Sequence, residues 1–443
     1  MTNNIELKQF FEEDYVSFSV YDNIRKIASF VDGQKNAARK ILHTTIQQNI
    51  SKFTKVANLG PKVQDSTQYL HGSLEGTIVN MTADYVGSGN NFPILQGDGN
   101  FGSRFINSAA ATRYIFARAN PELKTVFRKE DSVNLNEQNF EGDKIEPRFY
   151  VPTIPMILVN GSEGLSIGFA QKILPRDPKE IVKWVQQKAS GKRITANLTP
   201  HWVGQDFDVE QGESETQWVV KGRINRENTT RIVIESLPVG YNLKSYQAVL
   251  DKLLDDKVIR NYSDLSDNDV FKFEVSVTRE FTSKYSDVQI LEKFKLIKKL
   301  SENFTCVDEN NKIVVFDSVK QLLDSWYRIR IEFNEKRKAY LLKTYNEDKE
   351  SAEAKKIFIE AVINNDIELR NVSESKVIQQ GEKHHEALKG RMEKFISLPM
   401  RSLTKEEVSK LKNRVQELKV KIKDCEAMTA EQFSLDDLSE IQL

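Results

Sequence analysis

Val408, Leu411, Val415, Leu418, Ile422 and Cys425 follow one another at alternating spacings of three and four residues. On a helix that spacing draws one narrow apolar seam, and such a seam is buried only against another helix. Leu322, Trp326, Ile329 and Phe333 make a similar stripe earlier, with polar and charged residues between them. Between the two stripes, Leu398-Pro399-Met400 marks a break, and Ser402-Leu403-Thr404-Lys405-Glu406-Glu407 a capped restart. The last third is therefore expected to be two long helices with a globular insert, an antiparallel coiled coil returning on itself. A plain helical bundle or a leucine-zipper dimer satisfies the same pattern.

Upstream, residues 190–318 mix strand-like pieces (218–220, 231–234, 271–275) with a helix-like one at 246–254. Pro238-Val239-Gly240 and Asn261-Tyr262-Ser263-Asp264 read as turns. This is an α+β region without a catalytic pattern. The length of 443 residues suggests about three domains. Lys and Arg number 64 and Asp and Glu 64, so any surface for nucleic acid must be local. No apolar run is long enough for a membrane span, and no signal peptide is visible. Cys306 and Cys425 form neither a disulfide framework nor a zinc pattern. A reducing cytoplasm is the expected setting.

The local charge lies in residues 23–62, where Arg25, Lys26, Lys35, Arg39, Lys40, Lys52, Lys55 and Lys62 face one acid, Asp32. Residues 37–48 read as a helix with Ile41 and Leu42 inward. A solvated surface mixes both signs, whereas one sign on a helix and its flanking loops suits phosphate binding.

Further on, Ser108-Ala109-Ala110-Ala111-Thr112-Arg113-Tyr114-Ile115-Phe116-Ala117-Arg118 is rich in alanine, and helix is expected there. Tyr114 and Arg118 would then share a face. A guanidinium beside a phenol favours the deprotonated form, one way to make a nucleophile of a tyrosine. A packed ring with a wet hydroxyl is the bland alternative.

Two decoys are set aside. Gly97-Asp98-Gly99-Asn100-Phe101-Gly102 matches a dinucleotide fingerprint, but Arg104, Phe105 and Asn107 do not open the helix that fingerprint needs. The glycines are expected instead to let the backbone approach a phosphodiester. Glu141 with Asp206 and Asp208 has the layout of an Mg²⁺-binding carboxylate set. No nucleotide-triphosphate loop is found.

Asp22-Asn23-Ile24-Arg25, Asp32-Gly33-Gln34-Lys35, Arg39-Lys40, Tyr69-Leu70-His71-Gly72, Gln96–Arg104, Arg113-Tyr114 and Val159–Gly168 come in one order along the chain. In order and spacing they resemble the DNA breakage–reunion subunit of type IIA topoisomerases. The match is closest to the eukaryote-like branch, and the layout is that of bacteriophage members. The detailed resemblance covers about residues 15–180, and beyond that only the layout agrees.

The resemblance implies an α+β, mostly α chain with three parts. They are a winged-helix DNA-cleavage domain (1–170), an α/β tower (171–318) and a coiled coil with an exit-gate dimer contact (319–443). Tyr114 would be the nucleophile, with Arg113, Arg25 and His71 as its catalytic neighbours; for His71 a structural role is equally open. Lys35, Arg39, Lys40, Lys52, Lys55 and Arg104 would bind double-stranded DNA. Ile173, beside Lys172 and Arg176, would be the wedge that bends it, or else a core residue of the next domain. Mg²⁺ and ATP would come with a partner subunit bearing the ATPase and the metal-binding Toprim carboxylates, rather than from Glu141 and Asp206. The chain would work as a homodimer, in the cytoplasm of the infected host for a bacteriophage member. A DNA-binding structural protein and a stand-alone tyrosine nuclease or recombinase are the alternatives.

Overall fold

In the computed structural model, which describes residues 7–442, the helix expected over 37–48 forms as Asn36–Gln47, with Ile41 and Leu42 buried. Strand β1 (Thr54–Lys55) follows, then helices Val56–Thr67 and Glu75–Thr82 and strand β2 (Leu95–Asp98). A long loop, residues 99–115, returns the chain to strand β3 (Phe116–Ala119). The strands pair antiparallel in the order β1-β3-β2. Helix, strand, two helices, strand, loop and strand in this order make a winged helix, and the 99–115 loop is its wing. No helix follows the glycines at 97–102, in keeping with the rejection of a dinucleotide site.

The helix expected over 108–118 does not form. Residues 108–115 are coil and turn, and 116–119 are strand. The cause is tertiary: β3 is the central strand, with Thr54 opposite Ala117 on one side and Leu95 opposite Ala119 on the other. Two ladders of hydrogen bonds outweigh a propensity gain of a few tenths of a kcal/mol per alanine.

Two hairpins follow. Strands β4 (Gln138–Phe140) and β5 (Asp143–Ile145) carry Glu141 in their turn. Strands β6 (Ser162–Leu165) and β7 (Ala170–Ile173) form a second hairpin, whose inner residue Gly164 lies against the chain at Lys26. A Cβ on Gly164 would stand 2.3 Å from the Lys26 carbonyl oxygen, so only glycine fits.

Strands β8 (Asp208–Gln211) and β9 (Gln217–Lys221) come next, then β10 (Arg223–Asn228), β11 (Arg231–Ser236), β12 (Asn261–Asp264), β13 (Phe273–Ser276) and β14 (Ile297–Ser301). They build a four-stranded sheet, β10-β11-β13-β12, and a three-stranded one, β14-β9-β8. Helix Leu243–Asp255 covers the first sheet, and Tyr246, Leu250, Phe271, Phe273, Ile290 and Phe294 fill its core. Residues 261–264, expected as a turn, are instead an edge strand on β13, with the Tyr262 hydroxyl donating to Asp251 at 2.6 Å.

The chain divides into two compact units, residues 1–330 with 434–443, and residues 331–433. The helix Val319–Ile363 spans 45 residues and runs from the first into the second. Within the second unit it faces helix Lys405–Ala427. The Lys338 ammonium donates to the Met428 carbonyl at 2.6 Å, and Lys355 pairs with Glu407 at 2.9 Å. Numbers rise on one helix as they fall on the other, so the pair is antiparallel, as expected of two helices with an insert between them. Val415, Leu418 and Cys425 are buried in the seam. Val408 and Leu411 pack on a core shared by Phe358 and Ile359 of the long helix and Leu388, Met392 and Phe395 of the insert. Thr404 caps the second helix by accepting from the Glu407 amide.

At the other end, Leu7–Gln9, Phe10–Tyr15 and Val16–Lys26 are consecutive helical segments. Leu7, Phe11, Val16, Phe18 and Val20 on them are exposed, and only Asp22 and Asn23 are buried. No helix among the described residues is long and apolar enough to cross a membrane.

Candidate active site and nucleic-acid interface

Tyr114 stands on the wing, one residue after Arg113 and two before β3. The backbone on both sides is fixed. The Ala57 amide donates to the Thr112 carbonyl at 3.3 Å, the Val56 amide to the Ile115 carbonyl at 3.0 Å, and the Tyr114 amide to Ala111 at 2.9 Å. Ile115 and Ala117 point into the core. The Tyr114 side chain does the opposite and is 67% exposed. The Arg113 guanidinium lies 4.8 Å from the centre of its ring. An exposed phenol on a pinned backbone, with a guanidinium over its ring, has the makings of a nucleophile toward an anionic electrophile. Arg118 is elsewhere: its Nε donates to Gln96 at 3.0 Å and its guanidinium covers Phe53. The shared Tyr114–Arg118 face falls with the helix that would have made it.

His71 sits before helix Glu75–Thr82, in a loop held by a Gln64 side-chain bond to the Gly72 carbonyl. Its Nε2 is hydrogen-bonded to the Tyr21 hydroxyl, and its ring meets those of Tyr21 and Tyr69 at 5.9 and 5.8 Å between centroids. The Arg25 guanidinium stands 5.4 Å from the Tyr21 ring centre. Arg25 and His71, far apart in sequence, are therefore brought together through Tyr21, which the sequence reading missed. Its signal was the four-residue spacing to Arg25, which puts the two on one helix face.

The basic set sorts by burial. Lys52 is exposed and Lys55 half-buried on β1. Half-buried Lys35 donates to the Glu163 carbonyl at 2.6 Å, under the β6–β7 hairpin, and burial lowers its pKa. Arg39, Lys40 and Arg104 are not free to meet a phosphate backbone. Arg39 is buried and grips Asp32 with two bonds, at 2.7 and 3.1 Å. Lys40 is buried against Glu146 at 2.8 Å and the Thr67 carbonyl at 2.9 Å. Arg104 is buried between Phe207 and Phe271 and bonds Asp206 and the Leu237 carbonyl, both at 2.8 Å. A cation taken out of water needs a partner inside, and each has found one.

Ile173 is likewise misplaced as a wedge. It ends β7, 3% exposed, and its neighbour Arg176 is fully buried against Glu302. The apolar side chain at the hairpin tip is Leu165, 75% exposed, with Phe169 beyond the turn. The turn is tight, the Ser166 amide donating to the Phe169 carbonyl at 2.9 Å, and the Ser166 hydroxyl holds it to Asp22 at 2.8 Å. The sequence signal was a Leu between Gly164 and Ser166 in a glycine-rich run, where no core position is expected.

The carboxylates weighed for a metal are scattered or engaged. Glu141 sits in the β4–β5 turn, while Asp206 is paired with Arg104, Asp208 with Arg223 at 2.6 Å, and Glu210 with Lys221. Among the described residues no group of three or more His, Cys, Asp or Glu is placed to hold a metal ion.

Comparison with known proteins gives concordant matches. The profile of the DNA gyrase/topoisomerase IV A-subunit family matches residues 25–443. The mitochondrial DNA topoisomerase 2 of Dictyostelium discoideum is 30% identical over 387 residues, which are 85% of this chain and 30% of that protein. The chain thus spans under a third of that relative's length. The DNA topoisomerase medium subunit of Enterobacteria phage T4 is 28% identical over 421 residues, 92% of each chain. A crystal structure of the Plasmodium falciparum topoisomerase II DNA-binding, cleavage and re-ligation domain superposes with a TM-score of 0.88 at 27% identity. That match covers 97% of this chain and 63% of the other.

Proposed function

Because the chain belongs to the DNA gyrase/topoisomerase IV A-subunit family, we propose that it is the breakage–reunion subunit of an ATP-dependent type IIA DNA topoisomerase. The observation that carries this reading is the exposed Tyr114, braced by Arg113, on a wing whose backbone is pinned on both sides. The phenol oxygen attacks a backbone phosphorus. The bond to the 3′ oxygen breaks, and the 5′ end stays on the enzyme as a phosphotyrosine. One phosphate ester replaces another, so the released 3′ hydroxyl reseals the strand by the reverse step. Arg113 meets the charge of the pentacovalent state. Arg25 and His71, joined through Tyr21, hold the phosphate or the leaving oxygen. Lys35, Lys52 and Lys55 contribute to the track for the DNA backbone. Two copies cut the two strands, which calls for a two-fold dimer closed at the coiled-coil end. The division into a cleavage domain (1–170), tower (171–318) and exit gate (319–443) belongs to the same proposal. Trapping the complex with denaturant and mapping the DNA-linked residue tests it: an adduct on Tyr114 is expected, and an adduct on any other residue ends this assignment.

Leu165, rather than Ile173, is the wedge. It stands bare on a hairpin tip whose turn is tied to Asp22. Leu165→Ala should lower the bend measured by fluorescence transfer across a labelled duplex, while affinity changes less than about tenfold. Ile173→Ala should leave the bend alone and destabilise the fold by about 2–5 kcal/mol, as a cavity does. An unchanged bend in Leu165→Ala removes the wedge.

Among the described residues no three His, Cys, Asp or Glu side chains cluster to hold a metal ion, and in this reading Mg²⁺ comes from elsewhere in the assembled enzyme. Metal and ATPase are placed on a partner subunit, and the name of the phage relative, a medium subunit, is that of one part of a multi-subunit enzyme. The exposed apolar helix at Leu7–Lys26 is the surface best suited to receive such a partner. The chain alone, with Mg²⁺ and ATP, should bind DNA and relax no supercoils, and adding the partner should restore strand passage to a relaxed product. Cleavage by the purified chain alone, lost in Glu141→Ala and Asp206→Ala, would put the metal here and end the two-subunit assignment. The phage relative points to an infected bacterium's cytoplasm as the place of work. A structural DNA-binding protein would form no adduct, and a stand-alone nuclease would need no partner.

A further inference from the structure

We propose that Glu75 is a positioning residue for Tyr114, acting through Thr112. The proposal rests on the reading of Tyr114 as nucleophile. Glu75 opens the helix Glu75–Thr82, and its Oε2 accepts the Thr112 hydroxyl at 2.6 Å. Both side chains are half-buried. The stem of Glu75 lies over Gly60, where a Cβ in place of the glycine hydrogen would stand 3.5 Å from Cγ. The carboxylate therefore projects from a supported stem, and a hydroxyl-to-carboxylate bond is among the stronger kinds.

The other bonds that hold the wing around Tyr114 are made by its backbone, at Ala111, Thr112 and Ile115. They fix the path of the chain with almost any side chain in place. The Thr112–Glu75 bond is different: it depends on side-chain identity, and it reaches the segment that carries His71, four residues before Glu75. One bond thus ties the loop bearing Arg113 and Tyr114 to the start of the helix that follows the His71 loop. Attack on phosphorus needs the oxygen in line with the leaving group, and a displacement of about 1 Å costs on the order of 100-fold in rate.

Thr112→Val keeps the shape and removes the hydroxyl, whereas Thr112→Ser keeps the hydroxyl. In the assembled enzyme, Thr112→Val should slow covalent adduct formation at saturating DNA by roughly 10- to 100-fold. Thr112→Ser should stay within about threefold of the parent, and duplex affinity and melting temperature should not move in either. Glu75→Ala should match Thr112→Val, and the double variant should be no slower than either single one, since both remove one interaction. Parent-like cleavage by Thr112→Val, failure of Thr112→Ser to restore the rate, or additive losses in the double variant would overturn the clamp. Hydrogen exchange over residues 108–115 of the full chain, free of DNA and partner, reads the clamp without any chemistry. Thr112→Val should speed that exchange and Thr112→Ser should not. Unchanged exchange in Thr112→Val refutes the clamp even if Tyr114 proves to be the nucleophile. Faster exchange without an adduct on Tyr114 upholds the bond and refutes only the nucleophile.

Discussion

Tyr114→Phe is expected to abolish the covalent DNA adduct while duplex affinity stays within about twofold of the parent. The side chain is two-thirds exposed, with its ring against the Arg113 guanidinium. Removing one oxygen opens no cavity and strands no buried partner, so the fold and the duplex contacts should shift by no more than about 0.5 kcal/mol. In the proposed function the lost atom is the one that bonds to phosphorus, so cleavage should vanish rather than slow. Arg113→Ala makes a graded contrast: the nucleophile remains, and the loss should be about 10²- to 10³-fold, as when one donor to a developing charge is removed. Adducts are counted on end-labelled duplex after denaturation, binding by mobility shift on the same duplex. Adduct formation by the Phe variant would assign the chemistry to another residue.

The largest effect on stability is expected from Glu302→Ala. Arg176 and Glu302 are fully buried, with two bonds between them at 2.9 and 2.7 Å. Glu302 also accepts from the Trp218 indole at 2.7 Å and the Leu174 amide at 2.8 Å, while Arg176 donates to the Leu198 carbonyl at 2.6 Å. Truncating the acid leaves a guanidinium without its counter-charge and an indole N–H without its acceptor, for a loss of roughly 3–5 kcal/mol in denaturant unfolding. Replacing both, with Arg176→Met and Glu302→Leu, should recover much of that loss, because apolar pairs of similar volume are tolerated where half a pair is not. A double variant as unstable as Glu302→Ala would mean that the pair's hydrogen bonds to Trp218 and the backbone, rather than the buried charge, set the cost.

Periodicity made the coiled coil legible, because a seam at three-four spacing has few ways to be buried. The family was legible for a different reason: the order of motifs from Asp22 to Gly168 is carried by residue type. Burial was not. Arg39, Lys40 and Arg104 look alike in sequence whether they face water or an acid that the fold brings to them. Their partners Asp32, Glu146 and Asp206 lie 7, 106 and 102 residues away, and only the fold joins them. Alanine propensity at 108–111 was overruled by bonds to other parts of the chain, the Ala110 amide to the Asn100 carbonyl and the Ala57 amide to the Thr112 carbonyl, ahead of the ladders on both sides of β3. That Ile173 is buried while Leu165 is bare was not legible either, since alternation along a strand does not say where the strand turns.

The bare apolar row from Leu7 to Val20 has a consequence for how the cell must supply this chain. A surface of that kind attracts chaperones, proteases and other copies of itself until something covers it. If the proposed partner subunit is what covers it, chains made in excess of that partner are expected to be cleared, and the scarcer product sets the amount of finished assembly. Under the proposed function, the stretch would act as a gauge of stoichiometry, limiting how long the chain persists unaccompanied.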